Sequence, residues 1–148
     1  MIDEQQVPIG FSQGVNCCMQ VLGELGPQLG LDKDTAYKLG AAFGGGMGMG
    51  GPCGAVCGAL MALGLACGVG ENGDAETRAR FLGLKAEFEE CFRERFGGLS
   101  CTEVLGCDKR TTEGRLQVAR EELTIKICAP AVCAAAEIVA ELLELDWN

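Results

Sequence analysis

Hydrophobic residues recur every three or four positions along most of the chain, the spacing that places side chains on one face of an α-helix. Helices are predicted over residues 13–26, 35–44, 52–67, 75–96, 101–105, 112–127 and 130–145. The segment that follows Asp74 shows the apolar stripe most clearly, through Phe81, Leu84, Phe88, Cys91 and Phe92. No segment alternates with the period of two that marks a half-buried strand. The pattern therefore predicts an all-α, single-domain, multi-helix bundle comprising residues 1–148.

Capping residues support several of these helix starts. Ser12 could cap the first helix, and Asp32 or Asp34 the second. The sequence "SCTE" at residues 100–103 matches a capping box, in which the first and fourth side chains satisfy each other's backbone N–H groups. Pro52 is predicted to occupy the first position of the central helix, where a missing N–H is harmless.

A glycine-rich loop is predicted directly before that central helix. Residues 44–51 read "GGGMGMGG", and glycine is the residue that loses most conformational freedom on ordering. Such a run is typical of backbone that approaches a ligand or another chain segment closely. Within the central helix, Gly54 and Gly58 belong to a face of small residues that would let another backbone come near.

Charge and composition exclude several function classes. The net charge of −9 disfavours binding to nucleic acid or to an anionic membrane surface. Histidine is absent, which excludes Ser-His-Asp and Cys-His catalysis, Cys/His zinc fingers and histidine-ligated haem. Residues 39–70 carry no charge, but twelve of them are glycine, so a buried helix is a better interpretation than a membrane span, and no membrane insertion is expected.

Cysteine is the unusual residue of this composition, with ten copies among 148 residues. The first residues, "MIDEQQVPIG", lack the basic start and apolar run of a secretory signal, so we expect a cytoplasmic protein with reduced thiols. Cysteine clusters in that compartment bind metals or carry out redox chemistry more often than they form structural disulfides.

Three cysteines fall at predicted helix starts. Cys53 follows the glycine run, Cys101 follows the capping Ser100, and Cys128 comes two residues before a proline. Unpaired N–H groups and the helix dipole favour an anion there, so these positions should lower the pKa of a thiol and favour metal ligation or a nucleophilic sulfur. Cys57 lies one turn after Cys53 and fits either a second ligand or ordinary packing. Core positions are expected for Cys18, Cys67, Cys91, Cys107 and Cys133.

Four stretches together resemble the C_GCAxxG_C_C family of redox-active proteins. They are "FSQGVNC" at 11–17, "FGGGMGMGGPCGAVCGALMALGL" at 43–65, "ERFGGLSCTEVLGCD" at 94–108 and "CAPAVCAAAEIVAELL" at 128–143. The resemblance implies four family cysteines, which by motif position are Cys17, Cys53, Cys101 and Cys128. A related domain accompanies haem-binding segments in split-Soret cytochromes, where it looks like an iron–sulfur module. This chain lacks CxxCH and histidine, so no haem is expected.

Three functions are compatible with these residues. The first is electron transfer by an iron–sulfur cluster, [2Fe–2S], held by Cys17, Cys53, Cys101 and Cys128, with a basic redox partner and a homodimer as further expectations. The second is a thiol–disulfide oxidoreductase in which Cys53 attacks and Cys57, or a thiol from another helix, resolves. The third is a structural zinc or soft-metal site, for which the usual CxxC pairs are absent. We rank them in that order.

Overall fold

The computed structural model describes residues 1–146, which are largely helical and contain no β-strand. The α-helices are α1 Val7–Ser12, α2 Cys17–Leu25, α3 Lys33–Gly40, α4 Gly54–Cys67, α5 Ala75–Phe96, α6 Cys101–Leu105, α7 Thr112–Arg120 and α8 Ala129–Leu143. Short 3-10 helices cover Glu4–Gln6 and Gly26–Leu29, and wide π-type turns cover Gly46–Gly50 and Thr124–Cys128. The predicted all-α, single-domain fold is confirmed.

The main core lies where α2, α4, α5 and α8 pack together. Helix α4 supplies Val56 and Leu63, and α8 is buried along most of its length. Phe88 and Phe92 of α5 are fully buried and stack on each other with ring centroids 5.8 Å apart. Cys91 was expected in the apolar stripe of this helix but is exposed. The buried face of α5 is centred on Phe88 and Phe92 instead.

Glycines let α2 and α4 approach closely, as the small-residue face of the central helix predicts. A Cβ added at Gly54 would lie 3.0 Å from Cys17 Cβ, and one added at Gly58 would lie 2.9 Å from the carbonyl oxygen of Cys18. Real Cβ atoms rarely tolerate such distances. The spacing of these helices therefore depends on side chains being absent at both glycines.

The glycine run forms a left-handed turn. Gly45, Gly46, Met47 and Gly48 all have φ between +62° and +73°, a region that L side chains avoid and glycine adopts freely. The turn closes with a hydrogen bond in which the N–H of Gly51 donates to the carbonyl of Gly46 (2.9 Å). This geometry accounts for the concentration of glycine before α4.

Several predicted helices have different boundaries in the structure. The helix expected over 35–44 is α3, which ends at Gly40, before the glycine run. The helix expected over residues 13–26 begins only at Cys17, as α2, after a turn at Gly14 (φ +84°), and the helix before that turn, α1, was not predicted. The helix expected over 112–127 ends at Arg120, because Glu122 adopts φ +54° and breaks the helical path. Residues 124–143 then continue at an angle of 74° to α7.

No single helix among residues 1–146 has the length and hydropathy needed to cross a membrane. One sharply bent pair, α7 with residues 124–143, reaches the threshold by length and composition only.

Candidate functional site

Cys17, Cys53, Cys101 and Cys128 line one small cavity of about 30 Å³. We call these four residues the cavity cysteines. They come from four separate elements: α2, the residue before α4, α6 and the turn before α8. The remainder of the wall is main chain and apolar side chains, with one cation, from Gly45, Gly54, Ala55, Val104, Leu105, Lys109 and Ala131.

Cys17 is the first residue of α2, and Asn16 fixes its position. The Asn16 side chain accepts a hydrogen bond from the N–H of Met19 (2.9 Å) and donates to the carbonyls of Gly40 and Ala41 (both 3.1 Å). This side chain therefore caps α2 and ties it to the end of α3. The sequence prediction of a cap at Ser12 was wrong. Asparagine directly before the first cysteine was the available signal.

A short antiparallel contact joins Cys53 to Cys101. The N–H of Cys53 donates to the carbonyl of Leu99, and the N–H of Cys101 donates to the carbonyl of Gly51 (both 2.7 Å). Pro52 lies opposite Ser100 in this contact and is not the first residue of α4, so its predicted helical position was wrong. Cys53 itself is the N-cap of α4, two positions earlier relative to the helix start than the sequence indicated.

Cys101 is the first residue of α6, as predicted. The Ser100 hydroxyl accepts from the N–H of Glu103 (3.0 Å), and the Glu103 carboxylate accepts from the N–H of Ser100 (3.3 Å). The glycine turn packs on this helix start, because a Cβ added at Gly46 would lie 2.8 Å from Cys101 Cβ. The turn therefore contacts one cavity cysteine directly and lines the cavity through Gly45.

Cys128 ends the wide turn that leads into α8. The preceding residues are already helical, and the N–H of Ala129 donates to the carbonyl of Thr124. Cys128 is therefore at the predicted place in the chain but not at a free helix N-terminus. Its sulfur therefore lacks the unpaired N–H groups that favour an anion at a helix start.

Burial raises the pKa of every cavity cysteine, contrary to the lowering expected from helix starts. The pKa of Cys53 rises to about 11 and that of Cys128 to about 12, with loss of hydration the largest cause in both. For Cys53, hydrogen bonds from the N–H groups of Val56 and Ala55 act in the opposite direction. The pKa of Cys17 lies well above its usual range, first through burial and then through the charges of Cys53 and Cys128, and burial also raises that of Cys101. Without a bound cation, the cavity cysteines are protonated at neutral pH.

Lys109 is the charged residue of this candidate site that the sequence did not indicate. Its side chain lines the cavity, and its positive charge lowers the pKa of Cys17, Cys101 and Cys128 against the larger effect of burial. No motif marked this lysine. Its position, two residues after Cys107 in a loop between two short helices, was the only available signal.

A second, larger space adjoins the cavity on its outer side. This cleft has a volume of about 280 Å³ and shares Cys17, Cys128, Gly45 and Lys109 with the cavity. Its other walls come from Phe11, Gly14, Asn16, Gly44 and Thr124. Two of the cavity cysteines, Cys17 and Cys128, therefore lie between the cavity and an open approach.

A family model described as "Putative redox-active protein (C_GCAxxG_C_C)" matches residues 15–142. The chain belongs to the C_GCAxxG_C_C family. This match covers all four cavity cysteines as well as Lys109. No curated protein and no solved structure matches the chain significantly.

The six other cysteines of this C_GCAxxG_C_C protein do not line the cavity. Cys18 and Cys133 are buried, as expected for core positions, whereas Cys57 is half-buried. Cys57 and Cys53 both influence the thiol of Cys18, whose pKa burial raises to about 12. All ten cysteines are free thiols.

The cavity cysteines do not converge on a single point. Within residues 1–146, no group of three or more Cys, Asp or Glu side chains has the geometry to hold one metal ion. Four cysteines that line one cavity without forming a single-ion site would suit a ligand of several atoms. The donor set, which is four thiols with main-chain neighbours and one lysine, is of the type that holds iron–sulfur clusters.

Proposed function

We propose that this protein is an electron carrier in which Cys17, Cys53, Cys101 and Cys128 bind a [2Fe–2S] cluster. One observation carries the proposal: four cysteines that are far apart in the sequence, and that come from four elements, line one cavity. The family's description as redox-active supports the general class.

The size of the cavity supports a small cluster. About 30 Å³ is room for roughly two water-sized groups, so the four-atom [2Fe–2S] cluster would need less rearrangement of the walls than the eight-atom [4Fe–4S] form. When bound, the cluster supplies a one-electron couple. The chain supplies four thiolates, a partly apolar wall and the charge of Lys109.

Binding of a cationic ligand would release protons from these thiols. Burial raises the pKa of the cavity cysteines, so binding would displace protons from the sulfurs, and iron would supply the positive charge that stabilises four neighbouring thiolates. Lys109 offsets part of the remaining negative charge.

The second candidate is a dithiol redox function of Cys53 with Cys57. The proximity of these residues favours it, because the charge of Cys57 acts on Cys53 across one turn of α4. The raised pKa of Cys53, about 11, argues against a reactive thiolate at neutral pH. Structural zinc ranks third, because the described cysteines do not form a compact tetrahedral set.

An acidic surface suggests the class of redox partner. The chain has 21 acidic and 12 basic residues, so a partner with a basic docking face is proposed. The homodimer expected from the sequence stays a prediction.

Anaerobic purification tests the cluster. We expect a coloured protein with two irons and two acid-labile sulfides per site, and with visible absorption that bleaches on reduction. Colourless protein that contains zinc would support the third candidate. Colourless, metal-free protein that forms a Cys53–Cys57 disulfide on oxidation would support the second.

Single substitutions then identify the ligands. Cys17→Ser, Cys53→Ser, Cys101→Ser and Cys128→Ser are each expected to lower iron and sulfide content severalfold, because serine is a poor ligand for iron. Cys91→Ser is the matched control, since Cys91 is exposed on α5 and should retain full iron content. Equal iron content in all five variants would contradict the assigned ligands.

A further inference from the structure

We propose that the cleft beside the cavity binds a small anion, a carboxylate or oxyanion, through the ammonium group of Lys109. Only the role of this anion, as a substrate or ligand of the redox centre, rests on the proposed function. Binding itself follows from the geometry and charge of the cleft.

The shape of the cleft suits a compact ligand. Its volume of about 280 Å³ is slightly smaller than the pockets that hold drug-sized molecules. Lys109 lines both the cleft and the cavity, and Thr124 contributes a hydroxyl-bearing side chain to the same wall. The Asn16 amide is already bonded to two carbonyls, so Lys109 is the main donor available to a ligand.

The charge of Lys109 is not neutralised by a neighbouring side chain. Asp108 pairs with Arg110 (2.9 Å), and Lys126 pairs with Glu122 (3.8 Å). Among the described residues, no carboxylate lies within 4.0 Å of Lys109 Nζ. A half-buried, unpaired cation in a chain of net charge −9 is a local attraction for anions.

The loop that carries Lys109 is fixed by its own hydrogen bonds. Arg115 donates to the carbonyls of Lys109 (3.1 Å) and Arg110 (3.0 Å), and the Thr111 hydroxyl donates to the carbonyl of Asp108 (2.9 Å). Asp108 accepts from both the backbone and the guanidinium of Arg110. The lysine backbone is therefore held in place before a ligand arrives, which lowers the entropic cost of binding.

A pair of alkylating reagents tests the proposal on reduced, metal-free full-length protein. Iodoacetate is a small carboxylate, whereas iodoacetamide is its neutral analogue of similar size. Both reagents react with the thiolate, so both rates at one cysteine depend equally on the fraction of that thiol that is ionised. The ratio of the two rates is therefore independent of this fraction and reports how strongly the site attracts the anionic reagent. Peptide mass spectrometry gives this ratio separately at Cys17, Cys128 and the exposed Cys91.

We expect the ratio at Cys17 and Cys128 to exceed that at Cys91 by roughly tenfold. Lys109→Gln should remove most of this excess, and Lys109→Arg should retain it. Lys126→Gln is the matched control, because Lys126 is exposed, is paired with Glu122 and does not line the cleft. Cys17 and Cys128 are the cleft cysteines, and added sodium sulfate should slow alkylation at both of them more than at Cys91.

Three results would overturn the proposal. These are equal ratios at the cleft cysteines and Cys91, an unchanged ratio in Lys109→Gln, and failure of both reagents to reach Cys17 and Cys128 in the native protein. If Lys109→Gln does not fold, the wild-type ratio and sulfate protection decide alone. Because the assay uses protein without metal, its outcome is independent of iron content, and failure of the cluster proposal is distinguished from failure of this one.

Discussion

Protonation of the buried sulfurs is the dominant chemical property at the scale of single residues. Cys53 shows the balance most clearly: two backbone N–H groups stabilise its thiolate, yet loss of hydration outweighs them and leaves the pKa at about 11. Helix starts favour anions only while solvent or a cation can share the charge. In this site the dipole of α4 therefore reduces the cost of ionisation without making Cys53 acidic.

The metal-free, reduced protein should lose stability as the pH rises above 9. The thiol of Cys53 has a pKa of about 11 when folded and an ordinary value of 9.0 when unfolded, so between these pH values the unfolded chain releases a proton that the folded chain retains. The contribution is complete below pH 9 and is lost through pH 11. Thermal unfolding from pH 8 to 11 measures it.

The control for this prediction is Cys53→Ala, which removes one titrating thiol. Its free energy of unfolding should fall less steeply over the same pH interval than that of the wild type. Identical slopes in the two proteins would show that Cys53 ionises equally in the folded and unfolded chains.

Close contact between α2 and α4 is the feature on which the site depends at the scale of elements. Gly54 and Gly58 face the main chain at Cys17 and Cys18, so the absence of two side chains brings the first cysteine to the start of the central helix. The contact between residues 51–53 and 99–101 then joins the second cavity cysteine, Cys53, to the third, Cys101. Packing and main-chain hydrogen bonds, more than side-chain polarity, assemble the sulfur set.

Gly58→Ala should destabilise the protein by roughly 1–3 kcal/mol, because the new methyl group would lie 2.9 Å from the carbonyl oxygen of Cys18 and force the helices apart. Gly64→Ala is the matched control on the same helix. Nothing lies within 4 Å of its added Cβ, so it should gain up to about 1 kcal/mol from helix propensity. Urea unfolding measures both, and equal effects would contradict the close contact.

Most helices could be predicted from the sequence, but the backbone geometry around the cysteines could not. Asp74 and Ser100 are residues that commonly cap helix starts, and in the structure they cap α5 and α6. The prediction for Pro52 failed because proline suits both the first turn of a helix and an extended segment. Here the contact with Ser100, which is distant in the sequence, places it in an extended segment. Lys109 was unpredictable for the same reason, since its importance comes from residues far from it in the chain.

At the scale of the whole molecule, the fold is held by an apolar core rather than by disulfides. The core includes Phe88, Phe92, Leu22, Leu25 and Leu63, all of them fully or almost fully buried. The ten cysteines are free thiols distributed over most of the chain. Cysteine in this protein is thus a functional residue or a small apolar one, and its abundance does not indicate covalent stabilisation.

Reductant should leave the folded state intact. We expect the melting temperature of freshly prepared protein under argon to change by less than about 3 °C when tris(2-carboxyethyl)phosphine is added, because no cross-link contributes to the free energy of unfolding. Scanning calorimetry with and without the reductant measures this. Cooperative unfolding caused by the reductant would show that disulfides stabilise the chain.

The wide turn at Thr124–Cys128 lies between two groups of packed side chains. Leu123, before the turn, packs with Val118 and Leu105 in a small cluster, whereas α8, after it, belongs to the main core. Each residue rotates the direction of the side chains by a fixed angle, which is about 100° in an α-helix and smaller in this wider turn, where the N–H of Ala129 bonds to the carbonyl of Thr124. Deleting one residue here would swing Leu123 out of its cluster while α8 remained anchored. Gaps in alignments of related chains should therefore avoid residues 124–128, even where the amino acids themselves vary.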